Sequence, residues 1–402
     1  MSNTLLTISM ITKESLRVLT GSLKFVTNVK QGYDGEFGRA GAKIGQSLSI
    51  RKPARYNGRT GPVVDIEAQT ETYVPLTLSQ QYGVDLSFTS AEQTLSLDMY
   101  SDRVIKPAMA NIANRVDGYG MSYINQVYNQ VGTPGSTVSA LSTYLAAGTK
   151  LDQTLTPRDG ERVFVTDPYT QATATGLGLN LFNPQATISE QYKRGQLAEA
   201  LGFKWFMDQN APIQTNGTFS GTPEVNGVSQ SGGSLITNGW GAGSVMTAGT
   251  VFTIAGVYAV NPQTKATLSA LQQFVALATA TADGSGNMTI SVSPSIVGPG
   301  SAFQNVSVLP TTGNGITVAG GSGVSTQLSV AFHPDAFVFA SADLDKPGGV
   351  DMASVATDPQ TGLSVRVIRA YDVRTDQMIT RFDILFGFNT LYEQLACRVA
   401  TS

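Results

Sequence analysis

The chain of 402 residues carries 26 basic and 29 acidic side chains, a net charge of −3, and its charged fraction of 14% lies well below the roughly 25% of ordinary soluble proteins. A charge so near zero argues against a strongly basic nucleic-acid binder, and a hydrophobic share of 41% argues against wholesale disorder. The single cysteine, Cys397, excludes an intrachain disulfide and a cysteine metal cluster, and the single histidine, His333, excludes a histidine-pair metal site.

At about 150 residues per domain, the length accommodates two to three domains. The N-terminus, Met1-Ser2-Asn3, has no basic n-region, and the apolar stretch Leu5–Ile11 is closed by Lys13 and Glu14, so no export signal is expected. No run of about 18 apolar residues occurs, so no transmembrane helix is expected either. The chain reads as a soluble protein made in a cytoplasm.

Ile11, Leu16, Leu19 and Leu23 lie near helical spacing with Lys13, Glu14 and Arg17 between them, predicting a short amphipathic helix and then an extended arm over 10–31. Gly32, Gly35, Gly38, Gly41 and Gly45 predict a flexible linker. Over 46–88 the pattern turns to period two. Leu48 and Ile50, then Val74, Leu76 and Leu78, then Val84, Leu86 and Phe88 alternate with polar or neutral partners, around a Pro/Gly-rich tip from Pro53 to Pro62. This predicts a long two-stranded excursion. A lone hairpin is marginal in water, so it is expected to lean on something else, such as a partner chain.

Residues 101–130 carry the strongest helical stripe. Ile105, Met109, Ile112, Val116, Tyr119, Tyr123 and Val127, spaced by three or four, predict one continuous helix of about 45 Å. Pro107 belongs in its first turn or at a kink, and Gly118 and Gly120, at about 1 kcal/mol each against alanine, mark a place for a bend. Residues 136–214 alternate helix and strand signals. Arg162–Thr166 reads as a strand, Ser189 as the cap of a helix from Glu190 to Leu201 stopped by Gly202, and Phe203–Met207 as a strand.

The 115 residues 216–330 hold three charged side chains, Glu224, Lys265 and Asp283. The runs Thr250–Val260, Gln273–Ala280, Asn287–Val292 and Asn305–Leu309, separated by Gly/Pro/Asn turns, predict a small all-β domain. Mixed patterns on both sides and Gly-rich joints at 215–243 and 311–323 make it an insertion. After 331, Val365 and Val367, then Phe382, Ile384, Phe386 and Phe388, predict a hairpin with one aromatic-rich buried face.

No catalytic motif is found: no G-x-S-x-G elbow, no phosphate loop, no dinucleotide fingerprint. His333-Pro334-Asp335 offers a His/Asp pair that needs a nucleophile from elsewhere; without a local motif it reads as a histidine at the end of a strand. Asp283-Gly-Ser-Gly-Asn287 spaces oxygens as a calcium loop does, but Met288 follows and no carboxylate closes the loop, so a β-turn is expected. The hairpin tip gathers Arg51, Lys52, Arg55 and Arg59 around Tyr56, the chemistry of phosphate contact and base stacking. Asp65, Glu67 and Glu71 on the return strand weigh against that reading. Mixed charge suits docking on another protein, and these eight residues are the candidate subunit-interface residues. No catalytic, cofactor or metal site is expected.

Three stretches carry a family resemblance: Gly41-Ala-Lys-Ile-Gly-Gln-Ser-Leu-Ser-Ile-Arg-Lys-Pro53, Ile188-Ser-Glu-Gln-Tyr192 through Leu201-Gly-Phe203, and Val251-Phe-Thr-Ile-Ala-Gly-Val-Tyr-Ala-Val-Asn-Pro-Gln263. Together with the order of parts, they make the chain resemble the major capsid proteins of tailed phages. The nearest likeness is to short-tailed-phage coat proteins with an inserted β domain (the Salmonella phage P-twenty-two type). The resemblance implies an α+β chain with the tailed-phage major-capsid fold (Hong Kong ninety-seven type), with peripheral and axial α/β domains. It divides the chain into an arm and linker at 1–45, an extended loop and peripheral-domain strands at 46–88, a spine-helix region at 89–135, a first axial part at 136–215, an inserted all-β domain at 216–330 and a return to the axial and peripheral core at 331–402. The loop itself falls on 46–78. The implied function is a non-enzymatic shell around double-stranded phage DNA, located in the virion. The implied partners are copies of itself in hexamers and pentamers, a scaffolding protein, a portal protein and packaged DNA touched non-specifically, with no cofactor and no membrane. A second class, an extracellular surface-array or adhesin-type β protein, accounts for the Ser/Thr/Gly/Asn-rich middle but not for the long helix or the missing export signal.

Overall fold

Among the described residues strands far outnumber helices. The computed structural model describes residues 8–31, 47–52, 56, 61, 62, 64, 66, 72–88, 101–179, 197, 199–358, 361–374 and 377–401. Two compact units emerge: Met1–Arg51 with Tyr73–Gly120 and Phe337–Asn389, and Lys52–Thr72 with Met121–Ala336 and Thr390–Ser402.

The first unit contains a six-stranded sheet. Its order is Lys30–Gln31, Phe337–Ala342, Gln377–Thr390, Ser364–Asp372, Met352–Thr357, and Gln80–Phe88 also pairs with Gln377–Thr390. That last pairing is antiparallel, from Met378↔Phe88 to Phe386↔Gln80. The third run of the 46–88 pattern is therefore part of this sheet, and only Ser47–Lys52 and Thr72–Thr77 form the two-stranded sheet. A strand gains more from a large sheet than from extending an isolated hairpin.

Phe382, Ile384, Phe386 and Phe388 are buried, as their alternation predicts, but Asp383 and Leu385 on the opposite face are buried too. Asp383 accepts from Arg366 Nη2 at 2.7 Å and from Arg381 Nε at 2.8 Å. Its cross-strand neighbours are Arg366 on one side and Gly83 on the other. A Cβ on Gly83 would stand 2.5 Å from Asp383 Oδ1, so glycine is what leaves room for the ion pair.

The helix Ile8–Ser22 packs on Met352–Thr357 and Ser364–Asp372. It buries Thr12 and Ser15 beside Ile11 and Leu19 because their hydroxyls bond back to Ile8 O and Ile11 O. The predicted 45 Å helix is shorter. A π-helical turn Ser101–Ile105 leads into an α-helix Lys106–Ser122 of 17 residues, and a 3₁₀ turn Tyr123–Gln126 follows. The α part is about 26 Å long. Pro107 is the second residue of the α-helix and follows the π-helical turn directly, so it marks the junction between the two. The helix runs unbroken through Gly118 and Gly120. A Cβ at Gly120 would lie 3.1 Å from Phe25 and 3.3 Å from Phe388, so this glycine serves close packing. Phe25, Phe337 and Phe388 cluster there with centroids 5.6, 5.7 and 5.8 Å apart. Asp117, also buried, accepts from Lys24 N and Val26 N at 2.7 and 2.9 Å and pins the chain after the first helix.

The second unit contains a seven-stranded sheet ordered Gln130–Val131, Ala396–Ala400, Ser325–Phe332, Val163–Thr166, Phe203–Met207, Glu199–Ala200, with Ile213–Thr215 also on Ser325–Phe332. The helix Leu141–Gln153 buries Tyr144, Ala147 and Leu151 in one cluster with Phe164, Phe203 and Trp205. Phe164 and Trp205, partners on adjacent parallel strands, stack at 4.2 Å. Ser189 and most of the expected helix Glu190–Leu201 lie outside the described residues, and its end is not helical. Glu199–Ala200 turns back onto Phe203–Met207 through Leu201 at φ 58° and Gly202 at φ 80°. Two left-handed residues in succession make a tight hairpin turn, so Gly202 serves that turn and not a helix end.

Ile213–Thr215 and Ser325–Phe332 pair with each other, Ser325↔Thr215 through Gln327↔Ile213. Between them the chain forms a six-stranded antiparallel sheet ordered Gly221–Val225, Gly232–Trp240, Met288–Ile296, Thr267–Ala276, Val251–Val260, Ile316–Val318. The bridge Glu224↔Gly315, with Val225 N donating to Asn314 O at 2.9 Å, brings the two outer strands together and closes the sheet on itself. Its interior is apolar, with Trp240, Phe252, Phe274, Ile290 and Ile316 among the buried residues. Asn305–Leu309 is not the expected strand. It makes the bridge Ala259↔Val306, and Ser307 Oγ accepts from Tyr258 N at 3.1 Å.

Candidate assembly surface

The two-stranded hairpin is rooted in its own chain. Ile50, Leu76 and Leu78 are buried, Asn389 Nδ2 donates to Pro75 O at 2.6 Å, and a Cβ on Gly387 would lie 2.3 Å from Thr77 O. The root therefore leans on something else, as expected, and that support is the strand Gln377–Thr390 of its own chain rather than a partner. Beyond the root, exposure rises: Tyr56 is 60% exposed, Val64 72% and Ile66 88%. Arg51 lies over the ring of Tyr73 at 5.8 Å and Lys52 over that of Tyr392 at 5.4 Å, so aromatic faces engage both cations. Arg55, Arg59, Asp65, Glu67 and Glu71 lie outside the described residues. Of the eight candidate interface residues the structure thus describes Arg51, Lys52 and Tyr56, and it adds Val64 and Ile66, whose apolar side chains stand in solvent.

The two candidate reactive sites resolve into local braces. His333 Nε2 is 3.0 Å from Asp159 Oδ2, and Asp335 N donates to His333 Nδ1 at 3.3 Å. Asp335 Oδ2 also lies 3.5 Å from Nδ1, so both ring nitrogens are occupied. The hydrogen bond from His333 is the main reason the Asp159 carboxyl titrates below its usual range. Asp283 Oδ1 accepts from Ser285 N and Asn287 N at 2.8 and 2.9 Å, and Oδ2 from Asn287 Nδ2 at 3.0 Å. Its carboxylate is spent on a β-turn, held down in pKa chiefly by the Asn287 N–H. Among the described residues no group of three or more His, Cys, Asp or Glu is placed to hold a metal, and no helix is long and apolar enough to cross a membrane.

Arg398, like Asp117 and Asp383, is a buried charge that sequence reasoning missed. It is 1% exposed on the strand Ala396–Ala400, and its Nη2 donates to Gly249 O at 2.7 Å. Burial pulls its guanidinium down to about 9. An arginine inside an apolar five-residue strand was the available signal. Cys397, next to it in sequence, is wholly buried, and burial pushes its thiol up to about 12, which keeps it protonated and inert.

Among the described residues, His333 and Asp283 are thus tied up locally, while Val64 and Ile66 stand exposed beyond a buried hairpin root. Residues 7–396 match the family model described as P22 coat protein, gene protein 5. The protein is accordingly a major capsid protein with the tailed-phage capsid fold: it assembles with copies of itself into the shell of a virion and is not an enzyme. The chain belongs to the P22 coat protein family.

Similar solved structures include a chain from Mycobacterium phage Che8, with 12% identity over 94% of this chain and 90% of that one and a TM-score of 0.44. Another is the capsid of cyanophage P-SCSP1u, with 7% identity over 90% and 84% and a TM-score of 0.43. The mature capsid of bacteriophage PhiM1 shows 10% identity over 89% and 82% and a TM-score of 0.39. At these scores they add nothing to the family match. No curated protein matches. Family membership leaves the surface-array reading without support.

Proposed function

We propose that many copies of this chain close into an icosahedral shell of hexamers and pentamers around double-stranded DNA, assembled in the bacterial cytoplasm with a scaffolding protein and a portal. The family match over 7–396 carries this reading. A near-neutral charge of −3 supports enclosing DNA with only non-specific contact, because a strongly basic wall would bind host nucleic acid indiscriminately. In the same reading, 46–78 is the extended loop, 101–130 the spine, 216–330 an inserted domain, and 136–215 with 331–402 the host core.

The loop tip, with Arg51, Lys52, Arg55, Tyr56 and Arg59 facing Asp65, Glu67 and Glu71 in sequence, docks on a neighbouring subunit. The exposure of Tyr56, Val64 and Ile66 supports this role. Image reconstruction of particles formed by the protein tests the reading. A chain that stays monomeric at high concentration, with and without a scaffolding protein, and is absent from virions would sink it. Reversing Arg55→Glu and Arg59→Glu together should weaken assembly and leave subunit melting nearly unchanged, since in this reading both meet the neighbour and not their own core, and surface charge pairs contribute only about 0–1 kcal/mol. An equal loss of subunit stability would mean that the tip packs on its own chain.

A further inference from the structure

Gln130–Val131 is the outermost strand of the seven-stranded sheet, joined in parallel to Ala396–Ala400 by the pairs Arg398↔Gln130 and Val399↔Val131. Successive residues of a strand send their main-chain groups to opposite sides. Arg398 N donates to Asn129 O at 2.9 Å, so the N–H and C=O of Gln130 point off the sheet. Such an edge accepts a strand from another chain. Here both groups are taken by one side chain. Gln130 N donates to Gln273 Oε1 at 3.0 Å, and Gln273 Nε2 donates to Gln130 O at 2.9 Å. A carboxamide offers one acceptor and a donor side by side, the complement of a peptide unit.

Gln273 stands in Thr267–Ala276, a strand of the closed sheet. The same rung of the host sheet makes a second bond to that region, from Arg398 to Gly249 O. Tyr128, just before the edge strand, is buried with Val251 and Val275. Gln130 itself is 7% exposed. Polar groups at such depth need partners, and Gln273 supplies both.

We propose that the closed sheet caps the open edge of its host sheet through Gln273 and thereby blocks strand addition by a second copy of this chain. A shell subunit meets its own copies at high local concentration, where an unpaired edge leads to disordered aggregates in competition with the shell. The proposal deepens the reading of 216–330 as an inserted domain and rests on it.

Full-length subunits carrying Gln273→Met keep the length of the side chain and lose both bonds. Hydrogen exchange, followed by mass spectrometry on the peptide holding Gln130, should quicken about tenfold or more, while the amides of Met288–Ile296 keep wild-type protection. The variant should also sediment as β-rich oligomers at concentrations where the wild-type subunit is monomeric. Gln273→Glu, which accepts but does not donate when ionised, should fall between. Unchanged protection at Gln130 overturns the cap, and faster exchange without association overturns the block. Loss of protection across Met288–Ile296 also overturns it, because Gln273 would then serve the closed sheet itself. Particle images test the shell reading separately, so the two can fail independently.

Discussion

The closed sheet between residues 216 and 323 and the six-stranded sheet of the first unit are both rich in buried aromatic residues, yet they treat charge in opposite ways. The closed sheet buries neutral polar groups, such as Thr237 accepting from Trp240 Nε1 at 2.8 Å, but no charged side chain among its described residues. Its Lys265 is spent on the carbonyls of Pro262 and Ala302, at 2.8 and 2.5 Å, and its Asp283 on a turn. The first unit places Asp383 at 0% exposure between Arg366 and Arg381 and uses buried Asp117 to hold main-chain N–H groups. One region therefore keeps charge out of its interior, and the other builds carboxylates into it.

The largest effect should come from Asp383→Ala. It takes the buried carboxylate away from Arg366, itself 13% exposed, and should destabilise the first unit by about 2–4 kcal/mol in urea titrations, with the transition of the closed sheet unmoved. Equal losses in both would erase the contrast. Gly83→Ala attacks the same pair from the neighbouring strand. Its Cβ would crowd Asp383 Oδ1 and Phe382 O, each at 2.5 Å, and a loss of about 1–3 kcal/mol is expected. An unchanged midpoint would show that the strand can shift aside.

Acid should also separate the regions. Hydrogen bonding to Arg17 first, and then to Ser101, outweighs partial burial and holds the Glu14 carboxyl down at about 2, from an ordinary 4.5. A depressed folded-state value gives stability that is present above pH 4.5 and is lost as the pH falls toward 2. The first unit should therefore soften across that window more than the closed sheet, where the shifted carboxyl, Asp283, is fully exposed. Melting of each region followed by hydrogen exchange from pH 6 to about 2 would reveal it. A closed sheet that melts first in acid would contradict the comparison. The smallest change is Glu224→Gln, which should move the closed sheet's midpoint by about 0.5 kcal/mol or less.

Sequence patterning was most legible where apolar residues repeat at one period and one face is buried. Ile11 and Leu19, Ile112 and Val116, and Phe382 through Phe388 all face cores as their spacing predicts. Gly221–Val225 and Gly232–Trp240 were illegible because Gly, Ser, Thr and Asn are weak strand signals, and closure of the sheet recruits them regardless. The end of the helix expected at Glu190–Leu201 failed because Gly202 can stop a helix or make a hairpin turn, and tertiary pairing chose the second. At the assembly surface the basic tip was visible in sequence, but the rooting of the hairpin by Asn389 and Gly387, some 300 residues away, was not. Gln273 carries no signal in sequence at all. Its role exists only once Gln130 lies beside it.

The burial of Cys397 has a practical consequence. With the chain's one thiol pushed up to about 12 and sealed in the core, a folded shell of this protein is chemically blank toward thiol reagents. A cysteine introduced at Val228, which is 79% exposed, would be the reactive thiol of every copy, giving one label per subunit. Any slow modification of Cys397 itself would then time the opening of the seven-stranded sheet, a clock already present in every subunit.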